Sequence, residues 1–233
     1  MSGIYAIVLA GGSGQRMGSP ENKVFLPLLG TPAIIWALRP FTSLCCGAVI
    51  VARADEVERM RQIICEYDLH WFVVLTVAGG YDRQASVVNG LAALPADAEI
   101  VLIHDGARAL ITEPVIRNTI LAVQQHGSGV ASVPVTDTIR RLDASRRVLE
   151  TIPRETLFTM QTPQGFMVKT LKDAHQKAAS EDYRATDDAA LLERAGFPVQ
   201  LCEGDRENIK LTTPLDIALA ELILKSRAGG GQT

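Results

Sequence analysis

Five basic side chains and one carboxylate stand where short apolar runs give way to polar loops. Arg16 and Lys23 follow "IYAIVLA", Arg83 sits in "GGYDRQAS", Asp105 and Arg108 in "HDGAR", and Lys210 in "ENIKLTTP". In an open α/β sheet, ligands bind beyond the carboxyl ends of the strands, so these cations are expected to converge on one edge. The formal net charge is -3 at pH 7, so any affinity for anions has to come from such local placement. Five cations at strand ends suit a ligand with several phosphates. Asp105 would face that polyphosphate, which a carboxylate tolerates mainly with a cation in between, making it a candidate metal ligand.

The glycine-rich stretch "LAGGSGQRMGSPENKVFLPL", residues 9–28, carries two of those cations. A P-loop needs a lysine after a glycine in the frame G-x-x-x-x-G-K-[ST], and none stands there. A dinucleotide fingerprint needs a third glycine where Met17 follows Gly12 and Gly14, and an acid where the second strand ends in Ala52 and Arg53. Bound NAD is therefore disfavoured. The loop can instead wrap a nucleoside triphosphate with its backbone N–H groups while Arg16 and Lys23 reach the oxygens.

The elements that must position these residues alternate along the chain. "IYAIVLA", "GAVIVA", "WFVVLTVA", "EIVLIHD", "GVASVPV" and "FPVQLCEG" read as strands. Between them, apolar periodicity predicts helices near 32–41 (Thr31 as N-cap, Pro32 in the first turn), 55–67, 84–94 and 113–126. Further helices are expected near 168–179, 187–195 and 214–226. This is an α/β fold: a Rossmann-like, mostly parallel sheet with helices on both faces. At 233 residues, 47% of them hydrophobic, the chain suits a single domain over residues 1–227 with a sizeable core. Residues 228–233 read as a disordered tail.

From Thr136 to Arg154 the pattern breaks into a polar hairpin with a turn near Asp143 to Ser145. It is an exposed flap or an arm crossing to a partner subunit. A polar hairpin gains stability by packing on something, which favours the arm. The four cysteines form no CxxC pair and have no matching histidine spacing, which disfavours a zinc site, and they read as buried thiols of a reducing compartment. With no charged leader and no run that spans a bilayer, a cytoplasmic protein is expected, with neither nucleic acid nor membrane as partner.

The segments "LAGGSGQRMG", "NKVFLPLLGTP", "GGYDRQASVVNGL", "HDGAR", "PVTDTIRR", "QTPQGF", "TDDAALLERAGFPVQLCEG" and "ENIKLTTPLDIALAE" together resemble the 2-C-methyl-D-erythritol 4-phosphate cytidylyltransferases of the non-mevalonate isoprenoid pathway. The opening alone marks only a nucleotidyltransferase; the combination is far more specific. The resemblance implies transfer of a cytidylyl group from CTP to a polyol phosphate with release of pyrophosphate and with Mg²⁺. It implies that Arg16 and Lys23 are catalytic, and that Ala10, Gly11, Gly12, Gly14, Gly79, Gly80, Arg83, Ser86 and Asp105 hold CTP. Asp105, Arg108, Thr138, Arg154 and Lys210 would hold the polyol phosphate, with Asp105 also toward the metal. The hairpin would be exchanged in a homodimer, so that Thr138 and Arg154 complete the partner's pocket. Because the attacking phosphate ionises itself below neutral pH, no general base is required, and His104 is expected to be buried by its strand. Ser86 on its own could equally be a helix cap.

The chain departs from many relatives at Gly106 and Ala109, where "HDAARP" is common, and at Phe158, where tryptophan is frequent. These touch pocket shape and remove no charge. The nearest rival is ribitol 5-phosphate cytidylyltransferase, from which "PVTDTIRR" and "IPRETLF" separate it. Uridylyl- or guanylyltransferases and a silent nucleotide-binding protein are further alternatives.

Overall fold

In the computed structural model of the chain, residues 3–12 and 22–229 are described. The chain runs β1 (Gly3–Leu9), β2 (Pro27–Leu28), β3 (Thr31–Pro32), α1 (Ala33–Leu38), β4 (Gly47–Ala52) and α2 (Val57–Glu66). Next come β5 (Val73–Ala78), α3 (Arg83–Ala92), β6 (Ala98–Asp105), α4 (Glu113–His126) and β7 (Ser128–Pro134). The hairpin strands β8 (Ile139–Leu142) and β9 (Val148–Ile152) precede β10 (Phe158–Met167), α5 (Val168–Ser180), α6 (Asp188–Ala195), β11 (Leu201–Glu203) and α7 (Pro214–Gly229).

Seven strands form one sheet in the order β11-β7-β10-β6-β1-β4-β5. The central strands are apolar on both faces, and their residues alternate between two layers. Ile4, Ala6 and Val8 of β1, Ile50 of β4 and Leu102 of β6 pack under α1, α2 and α4. Ile7, Val49, Val51, Val101 and Ile103 point the other way, under α3, α5 and α6. Helices thus cover both faces, as the alternation predicts. α7 closes a third cluster with Leu28, Leu110 and Leu211.

The strand β10 has no counterpart in the sequence reading. It runs antiparallel between β6 and β7, while β1, β4, β5, β6, β7 and β11 share one direction. Its middle carries Gln161, Thr162 and Gln164, all buried, so no apolar run announces it. Their partners lie far away in sequence: Gln164 donates to Asp187 at 2.8 Å and accepts from the Ala189 N–H at 3.2 Å.

Other expectations need correction. Thr31 belongs to β3, and α1 is entered from Pro32 with no side-chain cap, because Thr31 pairs with Leu28 instead. Only Cys45 is a buried thiol, pushed up to about 12 by its burial; Cys46 and Cys65 are exposed. α7 runs on to Gly229, so the first two tail residues are helical, while 230–233 lie outside the described residues. The hairpin is present as a separate two-stranded sheet, its turn tied by Asp143, which accepts from the N–H groups of Ser145 and Arg147. Among the described residues no helix is long and apolar enough to cross a membrane.

Gly129 in β7 lets α4 approach the sheet: a Cβ there would lie 2.5 Å from the Thr119 carbonyl oxygen and 2.8 Å from Ala122 Cβ. Backbone cannot swing aside as a side chain can. Gly129→Ala is expected to cost about 1–3 kcal/mol in urea unfolding, the cost of overpacking a close-packed core.

Candidate active site

A cavity of about 400 Å³ opens where the loops after β1, β5 and β6 meet. Of the residues expected from the sequence, Gly11, Gly12, Lys23, Gly80, Arg83, Ser86, Asp105 and Lys210 line it. Ala10 is buried at the root of the first loop, and Gly79 precedes Gly80 without lining the cavity. Arg108 does not line it either. Thr138 and Arg154 are exposed on or beside the hairpin, where Arg154 donates to the Thr136 carbonyl at 2.7 Å. Gly14 and Arg16 fall outside the described residues.

Both ends of the first loop are pinned. The Ala10 N–H donates to the Val51 carbonyl at 2.7 Å, which continues the sheet. Asn22, 2% exposed, donates from its side-chain amide at 2.7 Å to both the Ala10 carbonyl and Glu56, and its side-chain Oδ1 accepts from the Val24 N–H at 3.3 Å. Asn22 thereby returns the loop to the end of β1 and opens the short 3₁₀ turn Lys23–Phe25 that presents Lys23. The sequence reading missed Asn22; its place next to Lys23 is the only local signal.

The loop after β5 is built by close approach. The Gly80 N–H donates to Ser86 Oγ at 3.1 Å, and Ser86 Oγ donates to the Asp82 carbonyl at 2.7 Å. A Cβ on Gly80 would stand 2.4 Å from Ala85 Cβ. With its proton committed to Asp82, the Ser86 hydroxyl can only accept from a ligand. Asp82, another residue the sequence reading passed over, caps α3 by accepting from the Ala85 N–H at 2.7 Å. Its second oxygen takes Arg184, which also lies over the Tyr81 ring. An aspartate just ahead of an apolar run is a capping signal that could have found it.

Charges of alternating sign form the far wall. Lys210 Nζ donates to Asp105 at 2.7 Å, and Arg83 stands 3.8 Å from the other Asp105 oxygen. Arg83 in turn donates to Asp188 at 2.7 Å, and His175 Nε2 lies 3.4 Å from Asp188, both deeply buried. Burial pushes the Asp105 carboxyl up, but Lys210 first, then Arg83 and Arg108, hold it below the usual range. Asp188 behaves alike: burial opposes its charge, while Arg83 and His175 draw its pKa down. Arg83 is desolvated too, yet the two carboxylates keep its pKa above the ordinary value. Arg108 donates to the Asn208 carbonyl at 2.6 Å, and its buried Nε has no hydrogen-bond partner among the described residues. His104 is fully buried, which lowers its pKa to about 4 and leaves it neutral, as its strand position predicts.

The chain is similar to known proteins along nearly its whole length. The family model described as 2-C-methyl-D-erythritol 4-phosphate cytidylyltransferase matches residues 4–226. Curated proteins of that name are similar along nearly their whole length: the one from Synechococcus sp. is 43% identical, covering 96% of this chain and 97% of that protein. The one from Bacillus velezensis is 41% identical, covering 97% of each. Among solved structures, 4-diphosphocytidyl-2C-methyl-D-erythritol synthase from Anaerococcus prevotii superposes with a TM-score of 0.84 at 28% identity, covering 95% of this chain and 98% of that one. The cytidylyltransferase structure from Thermus thermophilus gives 0.78 at 28% identity, with coverages of 94% and 98%.

Asp188→Asn leaves the buried side of Arg83 without its anion, and breaking a buried pair of this kind costs about 3–5 kcal/mol. Because the folded carboxyl has a lowered pKa, its contribution is complete above the ordinary carboxylate value and is lost as pH falls through the folded one. Urea unfolding at pH 7 and in steps below pH ~5 is expected to show a less stable variant with a flatter acid limb.

Proposed function

The chain belongs to the 2-C-methyl-D-erythritol 4-phosphate cytidylyltransferase family, and we propose that it transfers a cytidylyl group from CTP to 2-C-methyl-D-erythritol 4-phosphate. The products are CDP-methylerythritol and pyrophosphate, in isoprenoid precursor biosynthesis. One observation carries the reading beyond family membership. The cavity collects Lys23, Arg83, Asp105 and Lys210 beside a glycine-rich loop pinned at both ends. That is a wall for a triphosphate and a second anion, not for a resident dinucleotide.

The acceptor's phosphate oxygen attacks the α-phosphorus of CTP in line, and pyrophosphate leaves from the opposite side. Negative charge builds on the non-bridging α-phosphate oxygens, so cations fixed there in advance lower the barrier. Lys23 and Arg16 take that role. Because the attacking phosphate is already ionised near neutral pH, the reaction needs no general base, in keeping with a neutral, buried His104. Gly11, Gly12 and Gly14 wrap the phosphates, while Ala10, Gly79, Gly80 and Ser86 surround the base. A Ser86 oxygen that can only accept suits the 4-amino group of cytosine over the 4-carbonyl of uracil. Arg83 lies beside the base pocket.

Arg108 and Lys210 receive the polyol phosphate, and Asp105 faces its hydroxyls. Thr138 and Arg154 act in the pocket of a second subunit. The support for this arm exchange is the hairpin itself: Ile139, Leu142, Val148 and Leu149 are 38–62% exposed on a two-stranded sheet, which is marginal without a partner.

The divalent ion is Mg²⁺, arriving with CTP. The described residues offer no group of three metal-ligating side chains; two carboxylates line the cavity, Asp82, which is committed to Arg184 and the cap of α3, and Asp105, which stands with Arg83 and Lys210. Mg²⁺ is commonly held by one or two carboxylates plus substrate phosphates, so this donor set fits it. When bound, the ion would neutralise phosphate charge beside Asp105. The enzyme works in the cytoplasm, which suits its four free cysteines.

A pyrophosphate-release assay with each of the four nucleoside triphosphates and with both polyol phosphates tests the reading. Turnover is expected with CTP and methylerythritol phosphate; turnover of ribitol phosphate alone would reassign the acceptor. Lys23→Ala is expected to fold normally and to lose about 10²–10³ in kcat, the typical cost of removing one transition-state donor. Unchanged turnover would remove Lys23 from the reacting centre.

A further inference from the structure

A basic residue in the last turn of a helix ordinarily answers the helix's own carbonyls. Arg227, in the last turn of α7, does otherwise. Its Nη1 donates to the Leu110 carbonyl at 2.9 Å, while Nε and Nη2 donate to one carboxylate oxygen of Glu207 at 3.0 and 2.8 Å. Asp205 stands 3.6 Å from Nη2. Leu110 and Glu207 lie 117 and 20 positions from Arg227 in the chain, in the loops after β6 and after β11.

Those two loops carry Arg108 and Lys210. Leu110 follows Arg108 by two residues, and Glu207 precedes Lys210 by three. The loops also meet directly: the Leu211 N–H donates to the Ala107 carbonyl at 2.8 Å, and Arg108 to the Asn208 carbonyl at 2.6 Å. α7 backs both with its apolar face, where Ala220 and Leu224 share a cluster with Leu110 and Leu211. Apolar packing has no direction, so it holds the loops down without fixing how they stand to each other. A guanidinium is a rigid planar fork, and one that grips a carbonyl on one arm and a carboxylate on the other sets that relation. Arg227 itself does not line the catalytic cavity.

We propose that Arg227 is a positioning residue for the acceptor side of the site: it braces the loops after β6 and β11 at the spacing in which Arg108 and Lys210 meet one anion together. The kinetic consequence rests on the transferase reading above; the effect on the two loops does not. Gly12, Lys23, Gly80 and Ser86, on the CTP side, belong to other segments of the chain. Loss of the brace therefore weakens acceptor binding and spares CTP.

The test compares Arg227→Met, Arg227→Lys and Glu221→Gln by steady-state pyrophosphate release, with thermal unfolding to confirm that each is folded at the assay temperature. Arg227→Met keeps the stem and removes the fork; KM for methylerythritol phosphate is expected to rise about 3- to 10-fold while KM for CTP stays within about twofold. Arg227→Lys keeps the charge without the fork and is expected to fall within about twofold of Arg227→Met. Glu221 lies on the same helix but accepts from the Leu29 N–H at 3.1 Å, on neither loop. Glu221→Gln is expected to leave both KM values within about twofold of wild type. An unchanged acceptor KM in Arg227→Met, an equal rise for CTP, full recovery by lysine, or the same rise in Glu221→Gln would each overturn the proposal. Hydrogen exchange read by mass spectrometry needs no substrate assignment. In Arg227→Met, peptides covering 106–111 and 205–211 are expected to exchange faster and those of β1 and β4 as in wild type; unchanged exchange in both loops would overturn the proposal. If Arg227→Met does not fold, Glu207→Ala, which removes one arm of the brace, decides by the same two readouts. A wild-type enzyme that releases no pyrophosphate from CTP would instead defeat only the transferase reading.

Discussion

Asp188, Arg83, Asp105 and Lys210 form a file of charges that leads from the core to the pocket wall, and the site depends on their alternating signs. Taking any one of these groups out of water alone would cost several kcal/mol. Each instead has an opposite neighbour, at 2.7 Å from Asp188 to Arg83, 3.8 Å from Arg83 to Asp105 and 2.7 Å from Asp105 to Lys210. The buried end is fixed by α6, where Asp188 is the first helical residue behind its cap Asp187. The exposed end, Asp105 with Lys210, lines the cavity. A wall arranged this way carries no large net positive charge, which is compatible with a chain whose formal net charge is -3.

The sheet makes this file possible. Four neighbouring strands, β6-β1-β4-β5, run parallel, so their carboxyl ends bring residues 10, 52, 78 and 105 to one edge. β10 enters between β6 and β7 from the opposite direction, which brings Thr162 alongside Asp105 and Gln161 alongside the loop at 205–208. A parallel strand would have delivered a loop to this place. The antiparallel one delivers buried polar side chains in mid-strand, rigid where a loop would be mobile, and these wire together two loops more than a hundred residues apart.

The unbroken apolar runs of β1, β4 and β6, alternating with helices along the chain, made the layered α/β architecture legible, because only a strand buried on both faces needs such a run. The glycine-rich loop and the cations at strand ends were equally legible, since Lys23, Arg83, Asp105 and Lys210 each follow a strand at short range. Three kinds of residue were not. Asn22 pins backbone, and a polar residue in a loop carries little sign of that, while Asp82 caps α3 and is signalled only by its place ahead of an apolar run. β10 hid because Gln161, Thr162 and Gln164 are buried polar groups whose partners are distant in sequence. Asp188 lay in the quoted "TDDAALL" with no role given, because only the fold shows it within reach of Arg83.

The sequence by itself determined the elements with apolar periodicity, the edge at which chemistry could occur, and the kinds of charge present there. Those depend on local periodicity and on which residues follow each strand, and both are written along the chain. The tertiary structure decided which charges pair, which of them face the cavity, and which hydroxyl is aimed at which backbone N–H. It drew Lys210 to Asp105 and Asp188 to Arg83, and turned Arg108 toward Asn208. Such choices belong to residues about a hundred positions apart, and are settled only when burial forces every polar group to find a partner.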